Sequence, residues 1–150
     1  MRAVIQRVKQ AEVIVDNQLI SNISRGLVGY IGFGLNDQEK DLQYMLDKIL
    51  HLRIFHDEQG LMNRSISDVG GELLVISQFT LYGDARKGRR PSFGHAAKPE
   101  DAYILYNQFL QLLSKNYSGK IASGKFQAEM LVNTQVDGPV TILLDSNKHF

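Results

Sequence analysis

Four apolar residues in unbroken succession, Leu73, Leu74, Val75 and Ile76, follow the pair Gly70-Gly71 and Glu72. This run constrains the fold more than any other stretch. Successive side chains of a strand point to opposite faces, so an unbroken apolar run leaves no face for water and reads as a strand covered on both sides. Its end changes character. Ser77, Gln78, Phe79 and Thr80 place two hydroxyls, an amide and an aromatic ring where a rigid element can aim side chains and backbone N–H groups at a ligand. Gly83-Asp84 breaks the run, and four of the five residues from Arg86 to Arg90 carry positive charge: Arg86, Lys87, Arg89 and Arg90. Pro91 keeps Arg90 out of a helix, and exposed guanidinium groups on such a loop suit anions. A polar strand end followed by a basic loop points to a phosphate-bearing substrate. The plainer alternative is a strand fading into a turn and a solvated loop.

The chain of 150 residues, 43% hydrophobic, is long enough for one well-packed core and short for two, so one domain over 1–150 is expected. Its formal net charge of +1 excludes wholesale electrostatic binding of nucleic acid, and attraction to phosphate must come from local patches. With no cysteine there is no disulfide framework, thiolate nucleophile or Cys-type zinc site. The alternating, charged start MRAVIQRVKQAEVIV is unlike a signal peptide, and no apolar run approaches the ~20 residues that span a bilayer. A soluble cytoplasmic protein is expected.

In chain order, the β-branched alternation predicts strands over 1–8 and 11–16, with a turn at Asp16-Asn17-Gln18. Arg7 sits inside the first strand, and pattern alone turns it outward, since a guanidinium is an odd choice for a core face. The glycines of GLVGYIGFG are not spaced as a dinucleotide fingerprint and read instead as a bulge or a close backbone approach. Asn36 with Glu39 has capping-box spacing, and Leu42, Met45, Leu46, Ile49 and Leu50 recur at helical intervals, which predicts a helix over 37–51. A short strand at Arg53, Ile54 and Phe55 and a turn over 56–60 follow. His51 and His56 lack a metal-ligand spacing, and Ser77, His95 and Asp84 lack the nucleophile elbow of a hydrolytic triad, so no metal and no cofactor are expected. Pro99, Glu100 and Asp101 at one end and Lys115 at the other frame a second helix over 100–115, with Ala102, Leu105, Tyr106, Phe109, Leu112 and Leu113 as its core stripe. Strands over 129–136 and 140–145 flank Asp137-Gly138-Pro139, which must bulge or turn because proline lacks the N–H a sheet ladder needs. The resulting class is mixed α/β (α+β): one domain with an antiparallel-rich, barrel-like sheet and two main helices packed on it.

SQFTLYGD from Ser77, RKGRRPSF from Arg86 and GPVT from Gly138, together with the length, the MRAVIQRV start and the order of helices, resemble the D-aminoacyl-tRNA deacylase family across the whole chain. The resemblance implies a cytoplasmic homodimer that hydrolyses the ester of D-aminoacyl-tRNA, and of glycyl-tRNA, as chirality proofreading, with tRNA as partner and neither membrane nor DNA involved. It places Ser77, Gln78, Phe79 and Thr80 in the pocket, and Gly138-Pro139 in a Gly-cis-Pro motif that a partner subunit inserts there to reject L-residues. It has Arg7 steady that motif and Phe126 hold the terminal adenosine. Two positions depart from the family pattern, Val136 for an Asn and Gln127 for a Gly. An aminoacyl ester is already activated, so holding its carbonyl, stabilising the oxyanion and admitting water suffice. Backbone N–H groups near Phe79 and Thr80, with the substrate's 2′-hydroxyl, meet that need; Thr80 as a nucleophile would require a base. The alternative class is a non-catalytic tRNA- or nucleotide-binding module using Arg86, Lys87, Arg89 and Arg90 for phosphate and Phe79 or Phe126 for stacking.

Overall fold

The computed structural model describes residues 1–149. In chain order its elements are β1 (Arg2–Val15), β2 (Gln18–Ile23), β3 (Gly26–Gly32), α1 (Glu39–His51), β4 (Phe55–His56), β5 (Met62–Arg64), α2 (Ile66–Val69), β6 (Glu72–Ser77), a 3₁₀ turn (Phe79–Tyr82), α3 (Pro99–Asn116), β7 (Ile121–Ser123) and β8 (Leu131–Asp145). Five strands join in the order β2-β1-β3-β6-β7, and β8 lies along the other side of β1. The β3–β6 and β6–β7 pairs are parallel and the rest antiparallel, giving a nearly closed, barrel-like sheet in a mixed α+β fold. No helix is long and apolar enough to cross a membrane.

The apolar run in β6 is covered on both faces. Leu73 and Val75 join the core that α1 and α3 share with the sheet, whereas Leu74 and Ile76 join a second cluster inside the barrel with Val8, Val13 and Val28. The opening strands predicted as two are one 14-residue strand that changes face midway. Ala3 and Ile5 point to the helical side, while Ala11, Val13 and Val15, also odd-numbered, point into the barrel. A one-residue slip flips every later side chain, and the register indeed shifts between Val8 and Gln10. Asp16 and Asn17, both at positive φ (50° and 60°), turn the chain from β1 into β2, as a two-residue hairpin loop requires.

The first helix starts two residues later than predicted. Its cap is Gln38 rather than Asn36, because Asp41 accepts from the Gln38 N–H at 2.8 Å while Asp37 is drawn away to Gly34 N and the terminal amine. The spacing of its five apolar residues is otherwise as predicted, and all five are buried. The second main helix covers its predicted span and one residue more at each end. The strand predicted at Arg53 begins at Phe55 and pairs with β5. Helix α2 has no periodicity to show in four residues; its signal is the Ser65-x-x-Asp68 capping box.

Among the glycines of the third strand, Gly26 is a close-approach position: a Cβ there would lie 1.7 Å from the Glu72 carbonyl oxygen of the parallel neighbour β6. Gly26→Ala must therefore push β3 and β6 apart, and a loss of about 3 kcal/mol is expected. Urea unfolding measures it, and a loss below about 1 kcal/mol would contradict this packing.

Candidate functional site

The last sheet bond of β6 runs from Gln78 N to Ile31 O at 2.7 Å, after which the chain folds into the 3₁₀ turn. Two groups pin the far end of that turn. Tyr82 is buried with the Arg2 guanidinium 4.7 Å from its ring centre, and Arg2 Nη1 donates to Leu81 O at 3.0 Å. Burial, reinforced by the Asp37 charge, pushes the Tyr82 phenol well above its ordinary pKa, so it stays neutral. The Phe79 and Thr80 N–H groups open the turn, and neither donates to any group among the described residues. Thr80 is exposed, and its hydroxyl accepts from Gln78 Nε2 at 2.5 Å; no histidine bonds to it among the described residues.

This strand end forms one wall of a cleft of about 710 Å³. Ser77, Gln78 and Phe79 lie on one side, and Phe126 with Gln127 on another. The Phe126 ring is held by Tyr103 (centroids 5.3 Å) and Tyr106 (5.6 Å) from α3. Tyr106 donates its hydroxyl to Val75 O at 3.0 Å, and burial pushes its pKa up to about 12. Gln127 stands at φ 60°, the left-handed region that favours glycine, which accounts for the glycine of the family pattern there. Lys98 is the one charged side chain lining the cleft among the described residues.

Arg7, Gly138 and Pro139 gather elsewhere. The alternation of Ala3 and Ile5 continues to Arg7, so its guanidinium points to the core side rather than outward, and the residue is only 3% exposed. Its Nη1 donates to Ile54 O at 2.5 Å, and its Nε lies 3.0 Å from Asp137 Oδ2 without the alignment of a hydrogen bond. Opposite it, β8 leaves residues 137–140 unpaired between the pairs Gln6–Thr141 and Val8–Val136. The expected interruption of the last strand is therefore a bulge in one continuous strand. The Gly138-Pro139 bond is cis, both residues are exposed, and neither lines the cleft of its own chain.

The basic loop is closed by Asp84 and Ser92, which exchange both backbone hydrogen bonds (2.8 and 2.9 Å). Arg86 is engaged in it: its Nε and Nη2 donate to Asp84 at 2.9 and 2.6 Å, and they hold that carboxyl well below the usual carboxylate range. This also withdraws Asp84 from any triad with His95. Lys87, Arg89 and Arg90 are exposed. Sequence reasoning overlooked Phe93, Tyr103 and Lys98, although Phe93 ends the RPSF segment and Tyr103 lies one residue outside the core stripe of α3.

The family model for D-Tyr-tRNA(Tyr) deacylase matches residues 4–145. The chain belongs to this family. A D-aminoacyl-tRNA deacylase of Petrotoga mobilis is 52% identical over 150 residues, covering 100% of both chains. Among solved structures, "c-Myc DNA Unwinding Element Binding Protein" superposes with a TM-score of 0.93 at 46% identity, covering 97% of this chain and 98% of that one. A probable eukaryotic D-amino acid tRNA deacylase shares the fold, with a TM-score of 0.82 at 19% identity over 95% and 97% of the two chains.

Replacing Arg7 by Met removes a buried donor from Ile54 O and the counter-charge of half-open Asp137. A loss of about 2 kcal/mol in urea unfolding is expected, smaller than for a fully buried pair because Asp137 keeps some water. The same variant should speed amide exchange at the paired residues that flank the bulge, Val136 and Thr141, and unchanged exchange there would show that Arg7 does not hold the bulge.

Proposed function

We propose that the protein is a D-aminoacyl-tRNA deacylase, hydrolysing the ester between a D-amino acid and the terminal adenosine of tRNA, and that it accepts glycyl-tRNA as well. The observation that carries the reading is the pair of unpartnered N–H groups of Phe79 and Thr80 at the edge of an aromatic-lined cleft. Donors fixed before the reaction stabilise an oxyanion without reorganisation, and an activated ester asks for little else. Phe126 supplies a face for adenine. Ser77 and Gln78 border the ester, and the substrate's 2′-hydroxyl shares in moving the proton. Thr80, bonded to a neutral amide rather than a base, is a neighbour of the reaction and not its nucleophile.

Gly138 and Pro139, exposed and not lining their own cleft, fit a role in a second copy's cleft, which makes the working form a homodimer. Their backbone forms a wall where an L side chain would point, while a D side chain points away and glycine has nothing to exclude. Lys87, Arg89 and Arg90 contact tRNA phosphates, and Arg86, already neutralised by Asp84, adds least. A tRNA substrate fits a cytoplasmic protein.

Rates on D-Tyr-, L-Tyr- and glycyl-tRNA test the core of this reading. D-Tyr- and glycyl-tRNA should be cleaved and L-Tyr-tRNA spared, and Thr80→Ala should slow cleavage only moderately, by about ten-fold or less. Release of neither D-Tyr nor Gly would leave a binding module, and a dead Thr80→Ala that still binds tRNA would make Thr80 the nucleophile. For the loop, neutralising Lys87, Arg89 or Arg90 should lower the slope of log affinity on log salt by roughly 0.7 to 0.9 per contact. An unchanged slope in tRNA titrations would return the loop to plain solvated surface.

A further inference from the structure

Phe93 has no part in the reading so far, yet its ring touches both ends of the turn that carries the two free N–H groups. At the start of the turn it meets Phe79 in a T-shaped pair with centroids 5.0 Å apart. At the end it lies against Gly83, where an added Cβ would come within 3.2 Å of the ring. Phe79 is 58% exposed and has no other aromatic partner among the described residues. At the two ends of the turn the backbone bonds are Leu81 N to Gln78 O at 3.3 Å and Gly83 N to Thr80 O at 2.9 Å. The backbone of Phe93 is fixed from both sides. The Asp84–Ser92 pair precedes it, and its carbonyl accepts from Ala96 N at 3.0 Å.

We infer that Phe93 is a positioning residue for the reaction: its ring clamps the Phe79–Gly83 turn from outside and thereby fixes the direction of the Phe79 and Thr80 N–H groups. The inference rests on the reading of those groups as oxyanion donors. An oxyanion donor is effective only when held in place before charge develops; Arg2 and buried Tyr82 hold the far end of the turn, whereas its opening residues Phe79 and Thr80 are exposed, and there the Phe93 ring is the support. The ring is attached to the foot of the basic loop, so the support belongs to the same segment that faces tRNA phosphate.

Phe93→Ala and Phe93→Tyr separate this role from substrate contact. Amide exchange followed by NMR should be about ten-fold faster at Leu81 and Gly83 in Phe93→Ala, the scale of one lost aromatic pair, with Val75 and Ile76 in β6 unchanged. On D-Tyr-tRNA, kcat should fall by about ten-fold with KM nearly constant, and Phe93→Tyr should restore both readouts. Unchanged exchange, an unchanged kcat, or a rise in KM alone would each overturn the inference, the last by making Phe93 a binding contact. Should the wild type release no D-Tyr, the deacylase reading falls, while the exchange measurement still decides whether Phe93 clamps the turn.

Discussion

Burial of β6 on both faces is the constraint from which the site follows. With Leu73 and Val75 under the helices and Leu74 and Ile76 inside the barrel, the strand has no freedom to slide or roll, because a one-residue slip would exchange two apolar sets packed against different neighbours. Parallel partners on either side, β3 and β7, hold its direction. Where the cover ends the residues become polar within two positions, and the chain turns at once. The Phe79 and Thr80 amides are thus presented from the end of a strand packed on both faces, and the proposed oxyanion role requires preorganisation of this kind.

A second constraint is set by Arg7. A cation on the core side of β1 must find partners, since burying an isolated charge costs several kcal/mol. It takes the Ile54 carbonyl and the Asp137 carboxylate, and Asp137 begins the four residues that β8 leaves unpaired. The bulge is therefore tied to the core at one point and open elsewhere. Gly138, at φ 123° with Val140 and Arg7 close by, has neither the backbone conformation nor the space for a side chain.

Elements with a long period were legible in the sequence. The stripe of α3 and the apolar spacing of α1 needed only their own residues, and the run in β6 announced its double burial. What escaped depended on groups distant in sequence. The cap of α1 moved because Asp37 is claimed by Gly34 and the terminal amine, and Arg7 faces inward because Asp137 and Ile54 meet it there. The face change in β1 stems from a register shift against β8 that β1 alone cannot encode. For the site, the strand end and Phe126 do share a cleft, whereas Gly138 and Pro139 stand apart from it within one chain. Phe93 was passed over because a lone aromatic beside a basic run shows nothing until the loop folds back on Phe79.

The central claim is that a complete site needs the cleft of one chain and the Gly138-Pro139 segment of another. Mixing two variants inactive on D-Tyr-tRNA measures this directly: one chain with its cleft broken by Phe79→Ala and Phe126→Ala, the other with Gly138→Glu, whose added side chain obstructs the cleft of its partner. A mixed dimer then holds one site with intact cleft and intact segment. After unfolding and refolding the two together, D-Tyr-tRNA deacylation should return to about a quarter of the wild-type rate, since half the dimers are mixed and each has one good site of two. Activity no higher than that of the separate variants would contradict a shared site and place all of the chemistry within a single chain.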